Sequence, residues 1–291
     1  MNFVIAVDSG ADLSLSYLES ENLYLFPLTF TLNGYEIKDD FGKSYSHKSF
    51  YDSLRSGAMP TTSQVNIFTF KEQFTIWAKE NIPVLYLAFS SGLSGTYNSA
   101  CIALKEVQEE YPDAPITIID TLAASSGVGL LVYHACTLRK QGKDIKEVAD
   151  YIRATAPYLC HLFTVDDLYH LERGGRVSHA SAFVGSLLQI KPVLYVNDEG
   201  KLIPYQKARG RKKALHALVD LFGSLVEDTT QPVMISQSDC EEDARLVAKL
   251  LQEKYNVEVA MINPIGSVIG SHCGANVIAL FFSGKQRVPN K

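Results

Sequence analysis

The sequence has no run of 18 or more consecutive apolar residues in its 291 positions, so no bilayer-spanning helix is expected. It has little cysteine. The five thiols, Cys101, Cys136, Cys160, Cys240 and Cys273, are odd in number and form no Cys-x-x-Cys pair. That pattern excludes a disulfide framework, a zinc ribbon and a dithiol redox motif, and reads as reduced thiols in a cytosolic protein. A basic segment is missing ahead of the first apolar run, which meets Asp8 almost at once, so no secretory signal is expected and a cytoplasmic location follows by elimination. Excess positive charge is absent too. With a formal charge of -5, the long-range field has the wrong sign for nucleic acid or an anionic membrane surface. No repeat, low-complexity tract or heptad pattern is present. His, Asp and Glu do not cluster at metal-ligand spacing, so no metal is expected.

What remains is an ordinary globular composition, 46% hydrophobic and 20% charged. A chain this long should bury about three quarters of its unfolded surface. Its length suits two domains. Short β-branched runs alternate with helix-period segments, which argues for α/β architecture. In the first half, runs at 3–7, 84–89 and 116–119 lack polar alternation, as parallel strands buried on both faces should. After the second run, Tyr97, Ala100, Cys101, Leu104 and Val107 form one helical stripe. After the third, small residues at 123–129 lead into an apolar helix that fades near Gly142. Between 12 and 64 the pattern predicts a strand or two and a hairpin. In the second half, strands are expected at 162–165, 193–196, 202–206, 233–236, 257–262 and 277–282, with Asp198-Glu199-Gly200 as a hairpin turn. Helices are expected at 213–226 and along Ala244, Val247, Ala248 and Leu251. The fold class predicted is therefore two α/β domains, the first (1–157) with a mainly parallel sheet and the second (158–291) with a mixed sheet, the boundary falling at 154–158.

Three polar clusters could carry function. Ser90-Ser91-Gly92-Leu93-Ser94-Gly95-Thr96-Tyr97 lies between a buried strand and a helix, where backbone amides and hydroxyls can converge on a phosphate or carboxylate; equally, Ser94 or Thr96 could simply cap the helix. Gly-x-Ser-x-Gly fails at Thr96, and neither a dinucleotide nor a Walker fingerprint occurs, so no nucleotide cofactor is expected. Pro60-Thr61-Thr62-Ser63-Gln64 reads as a turn with a helix cap. The glycine-rich stretch 266–274 allows close backbone approach, with His272 in a turn as a donor. Two basic groups stand apart from these: Arg173 and Arg176 around Gly174-Gly175, and the run from Lys207 through Arg209 to Lys213. Cations at a helix start oppose its dipole and so invite an anionic partner.

Eight segments, in order, resemble the DegV family of bacterial fatty-acid-binding proteins: Asp8-Ser9-Gly10-Ala11-Asp12, Thr62-Ser63-Gln64, 90–97, 120–127, 171–176, Lys191-Pro192-Val193-Leu194, the basic run ending Lys213-Ala214, and 266–274. The resemblance implies one long-chain fatty acid lying between two α/β domains. It also implies that a separate fatty acid kinase subunit phosphorylates the bound acid to an acyl phosphate for phospholipid metabolism, the carrier itself having no catalytic residues. On this chain it implies that Thr62 and Ser94 hold the carboxylate, with Ser63, Gly95, Thr96 and His272 around them, and that Arg173, Arg176 and Arg209 dock the kinase or steady its nucleotide. The family's last motif usually continues Gly-Pro-Gly, whereas this chain reads Gly274-Ala275-Asn276. A rival reading is a stand-alone phosphotransferase or hydrolase using the Ser94 loop, with the arginines as electrostatic stabilisers.

Overall fold

The computed structural model describes residues 3–166, 168–177 and 189–289. The N-terminal half runs β1 (Val4–Asp8), α1 (Leu15–Ser20), β2 (Tyr24–Phe26), β3 (Thr29–Leu32), β4 (Tyr35–Lys38), α2 (His47–Arg55), β5 (Thr61–Ser63), α3 (Ile67–Lys79), β6 (Val84–Ala88), α4 (Thr96–Glu110), β7 (Ile116–Asp120), α5 (Ser126–Lys140) and α6 (Ile145–Thr155). The C-terminal half follows with β8 (Leu159–Thr164), α7 (Tyr169–Arg173), β9 (Ile190–Val196), β10 (Leu202–Arg209), α8 (Arg211–Leu225), β11 (Val233–Gln237), α9 (Glu241–Tyr255), β12 (Val259–Pro264), α10 (Ser267–Cys273) and β13 (Ile278–Ser283).

The mixed α/β class is as the sequence predicts. Strands β2-β1-β6-β7 form a four-stranded sheet, parallel throughout. The C-terminal half builds a six-stranded sheet in the order β10-β9-β8-β13-β11-β12, antiparallel except for the β11/β12 pair. A third, antiparallel sheet of three strands, β4-β3-β5, was not expected. It contains the predicted hairpin, turned at Asn33-Gly34 with both residues at positive φ, the geometry that matches strand twist in a two-residue turn.

Helix α5 joins the halves. It is apolar on nearly every face, buried from Ser126 through Val132 and again at His134, Ala135 and Cys136, as a helix packed between layers must be. It contacts β1 and β6 of the parallel sheet and β8, β11 and β13 of the mixed sheet. One continuous core therefore runs from Val7, Leu85 and Val128 to Phe163, Leu194 and Phe281.

Several sequence expectations needed correction. Residues 61–63 are a strand and not a turn, because β3 supplies an antiparallel partner far away in sequence. Residues 267–273 are a helix and not a glycine-rich turn. Pattern alone did not place α1, α2, α3 or α6; in α3 the apolar stripe is blurred by exposed Phe68 and Ile76. The buried face of α4 is also rotated from the predicted stripe: Thr96, Ser99, Ala100, Ala103 and Val107 are buried, while Tyr97, Cys101 and Leu104 are only half-buried. Small side chains make that contact, and a count of large apolar residues passes over them.

Candidate functional site

The loop after β6 is fixed from below. Asp8, at the end of β1, accepts hydrogen bonds from the Phe89 amide (2.9 Å), the Tyr86 hydroxyl (2.7 Å) and the Gly10 amide (3.0 Å). Burial pushes its carboxyl up to about 6 against the pull of those donors. The Ser90 hydroxyl donates to the Gly200 carbonyl (2.9 Å) and accepts from the Gly92 amide (3.1 Å), so the turn joining β9 and β10 backs the loop. Gly92 is required there: a Cβ would lie 2.4 Å from the Glu199 carbonyl oxygen. The Ser94 hydroxyl lies 2.9 Å from that of Thr96 and accepts from the Thr96 amide at 3.2 Å. Gly95 occupies the N-cap position of α4, packed so closely on Gln64 that a Cβ would meet its Oε1 at 2.1 Å.

The facing wall comes from β5 and α10. Thr62 Oγ1 lies 2.7 Å from His272 Nε2, and the Gln64 amide donates to Ser99 at 2.7 Å, which ties the exit of β5 to α4. Burial, aided by the charges of Arg176 and Arg173, lowers the His272 imidazole to about 4, so the ring is neutral near pH 7. Its Nδ1 is buried against Gly174 and has no hydrogen-bond partner among the described residues. Arg176 donates to the Leu93 carbonyl at 3.2 Å and to the Gly174 carbonyl at 2.5 Å; Arg173 donates to the Ser271 carbonyl at 3.2 Å.

These two walls enclose a cavity of about 210 Å3. Thr62, Ser63, Ser94, Gly95 and His272 all line it, as does Arg176. Most of the remaining wall is apolar, including Phe89, Phe163, Leu171, Val268, Ile269 and Phe281. Thr96 is fully buried behind Ser94 and does not reach the cavity. Arg209 is exposed on β10, away from the cavity wall. Asn276, the departure from Gly-Pro-Gly, adopts φ 61°, a left-handed conformation that asparagine tolerates, and its amide donates to Asp166 at 2.7 Å.

Sequence reasoning did not single out Gln64, Ser125 or His161 for this wall. His161 is held neutral, burial lowering it to about 3, with Nδ1 donating to the Leu159 carbonyl (3.2 Å) and Nε2 accepting from the Ala124 amide (3.3 Å). Its signal was a histidine inside the otherwise apolar run of β8. Ser125 gave none, because its setting depends on Asp12 and Ser236, both over a hundred positions away.

The arrangement offers neutral hydroxyl donors at the rim of an apolar cavity. Among the described residues the Ser94 hydroxyl bonds to Thr96 and not to a histidine or carboxylate, so it is placed as a hydrogen-bonding group rather than as a base-activated nucleophile.

A family model described as an uncharacterised protein, DegV family, matches residues 2–285. A DegV domain-containing protein of Clostridium perfringens is 48% identical over 288 residues, covering 99% of both chains. A protein of Thermotoga maritima named a fatty acid-binding protein is 35% identical over 286 residues, covering 96% of each. The solved structure of a DegV family protein from Thermus thermophilus, described for its fatty acid binding, superposes with a TM-score of 0.85 at 30% identity, over 97% of this chain and 100% of that one. No helix of the described residues is long and apolar enough to cross a membrane. By the family model and by these relatives, the chain belongs to the DegV family.

Proposed function

We propose that this protein binds one long-chain fatty acid, its tail in the apolar cavity and its carboxylate held by Thr62 and Ser94. Ser63 and Gly95 complete the rim, Thr96 orients Ser94, and His272 orients Thr62. The observation that carries the reading is the Thr62–His272 contact of 2.7 Å at the edge of a mainly apolar cavity. With Nδ1 bare, the proton of the neutral imidazole belongs on Nε2, where it donates to Thr62 Oγ1. The Thr62 hydroxyl is then free to donate to an acid. Each buried methylene of the tail contributes about 0.8 kcal/mol, so affinity comes from the tail and the head group need only be positioned.

The same reading makes the protein a cytoplasmic carrier, with a boundary between its two domains at 157/158, that presents the acid to a separate fatty acid kinase. Arg173 and Arg176 lie beside the head-group rim, where a partner or its phosphate would approach, and Arg209 supplies a further exposed cation.

Mass spectrometry of an organic extract of the purified protein should find one fatty acid per chain. Absence of any, with no uptake of a fluorescent analogue, refutes the binding reading. Thr62→Ala with Ser94→Ala removes two hydrogen bonds to a charged group, each worth about 1.5–3 kcal/mol, and should weaken retention by at least about a hundredfold with the far-UV spectrum unchanged. Acyl phosphate should form from ATP only when a kinase subunit is added; turnover by the isolated chain would establish the stand-alone enzyme instead.

A further inference from the structure

We propose that Asp12 and Asp39, two buried carboxylates of the N-terminal half, are positioning residues that clamp the first turn of α10 and so fix His272 and the Val268–Ile269 wall of the cavity. The inference rests on the binding role proposed above and adds the means by which that site is assembled.

The clamp is visible bond by bond. Asp12 Oδ1 accepts from the Gly266 amide at 2.8 Å, and Asp39 Oδ2 accepts from the Val268 amide at 2.9 Å. Asp39 also faces the amides of Ser267 and Phe41. A helix exposes unpaired amides at its start, and these two side chains satisfy them from elements more than 220 positions earlier in the chain. Asp12 adopts φ 44° just after β1, a left-handed conformation that aspartate tolerates, and its other oxygen accepts from Ser125 at 2.5 Å. Neither carboxylate forms an ion pair among the described residues, although Asp12 is 1% and Asp39 2% exposed. Burial without a cation favours the neutral form of both carboxyl groups, and the hydrogen bonds that hold them come from backbone amides and, for Asp12, the Ser125 hydroxyl.

Gly266 and Gly270 show how closely α10 is seated. A Cβ on Gly266 would lie 3.0 Å from both Asp12 Oδ1 and Asp39 Oδ2, between the two carboxylates. One on Gly270 would meet the Tyr51 hydroxyl at 2.7 Å, and that hydroxyl donates to the Ile265 carbonyl at 2.8 Å. Helix α10 therefore belongs to the C-terminal half by sequence but is fastened to the N-terminal half at its start, with Thr62 meeting His272 next to its last residue. Loosening the start lets the His272 end drift from Thr62.

The test compares Asp39→Leu, which removes the acceptor while keeping the branch at Cγ, with Asp39→Asn, which keeps one carbonyl oxygen for Val268. Release of a fluorescent long-chain acid from loaded protein to phosphatidylcholine vesicles should be on the order of tenfold faster in Asp39→Leu and in Gly266→Ala, and close to wild type in Asp39→Asn. Nitrogen NMR of His272 gives a readout that a merely structural role would not move: the ring should titrate near its ordinary value in Asp39→Leu and stay depressed in Asp39→Asn. Unchanged release and unchanged His272 titration in Asp39→Leu and Gly266→Ala would overturn the clamp. If those variants do not fold, hydrogen exchange in the wild type decides it, because the Gly266 and Val268 amides must be among the slow ones, and rapid exchange overturns it. Should the wild type bind no fatty acid, the functional reading falls while the NMR and exchange measurements still judge the clamp.

Discussion

The two walls of the cavity are built by opposite strategies. On the Ser94 side a strand-end loop closes on itself through contacts two to four residues apart, and a backbone hairpin from the other half presses against it. On the His272 side a short helix, poor in large side chains, is held by carboxylates and a tyrosine hydroxyl from distant elements. A loop of the first kind owes part of its shape to its own hydrogen bonds; a helix of the second kind takes its position from its neighbours. The comparison teaches that Ser94 is preorganised largely by its own loop, while Thr62 depends on how α10 is seated.

The sharpest way to break this contrast is to remove what holds the hairpin against the loop. Arg287 is 3% exposed and donates to the carbonyls of Leu122 (2.8 Å), Ala156 (2.6 Å), Asn197 (3.3 Å) and Thr121 (3.4 Å), so it ties the end of β7, the end of α6 and the β9–β10 turn together. Arg287→Ala leaves those carbonyls short of a donor and should cost about 3 kcal/mol or more in a urea titration. The His272 NMR signature should survive it. If stability is unchanged, the hairpin is seated by packing alone.

Gly92→Ala tests the same contact more gently. Its Cβ meets a backbone oxygen, which cannot swing aside as a side chain would, so the loop or the turn must shift. The expected cost is about 1–3 kcal/mol, with faster release of bound fatty acid, read from thermal midpoint and release rate together. Release unaffected by a measured loss of stability would mean that the loop's shape does not govern the rim.

Legibility in the sequence follows the same division. The Ser94 loop could be read because its cause is local: a buried strand, glycines, hydroxyls and a helix start lie within eight residues. The parallel strands β1, β6 and β7 were readable for the same reason, being apolar runs without alternation. By contrast β5 is a strand only because β3 pairs with it, and α10 is a helix whose first amides are capped by Asp12 and Asp39. No window around Thr62 or His272 contains those partners. The family resemblance named both residues where their surroundings could not, since it was carried by the order of segments along the whole chain.

Acidity separates the two kinds of group once more. Burial raises Asp39 from 3.8 to about 7 and Asp8 from 3.8 to about 6, so between roughly pH 4 and 7 the folded chain holds protons that the unfolded chain has lost. In that window their contribution to stability falls as pH rises. His272 runs the other way: lowered from 6.5 to about 4, it stays neutral in the fold while the unfolded chain takes up a proton, so its contribution is present above pH 6.5 and is lost as pH falls toward 4. Where the windows overlap, the slopes oppose one another. His272→Gln should therefore cost more stability at pH 8 than at pH 5, by on the order of 1 kcal/mol, and Asp39→Asn should cost less at pH 8 than at pH 5. Urea midpoints of both variants at the two pH values check the signs. Equal costs at both would mean that these groups meet the same surroundings in the folded and unfolded chains, against the burial that shifts both.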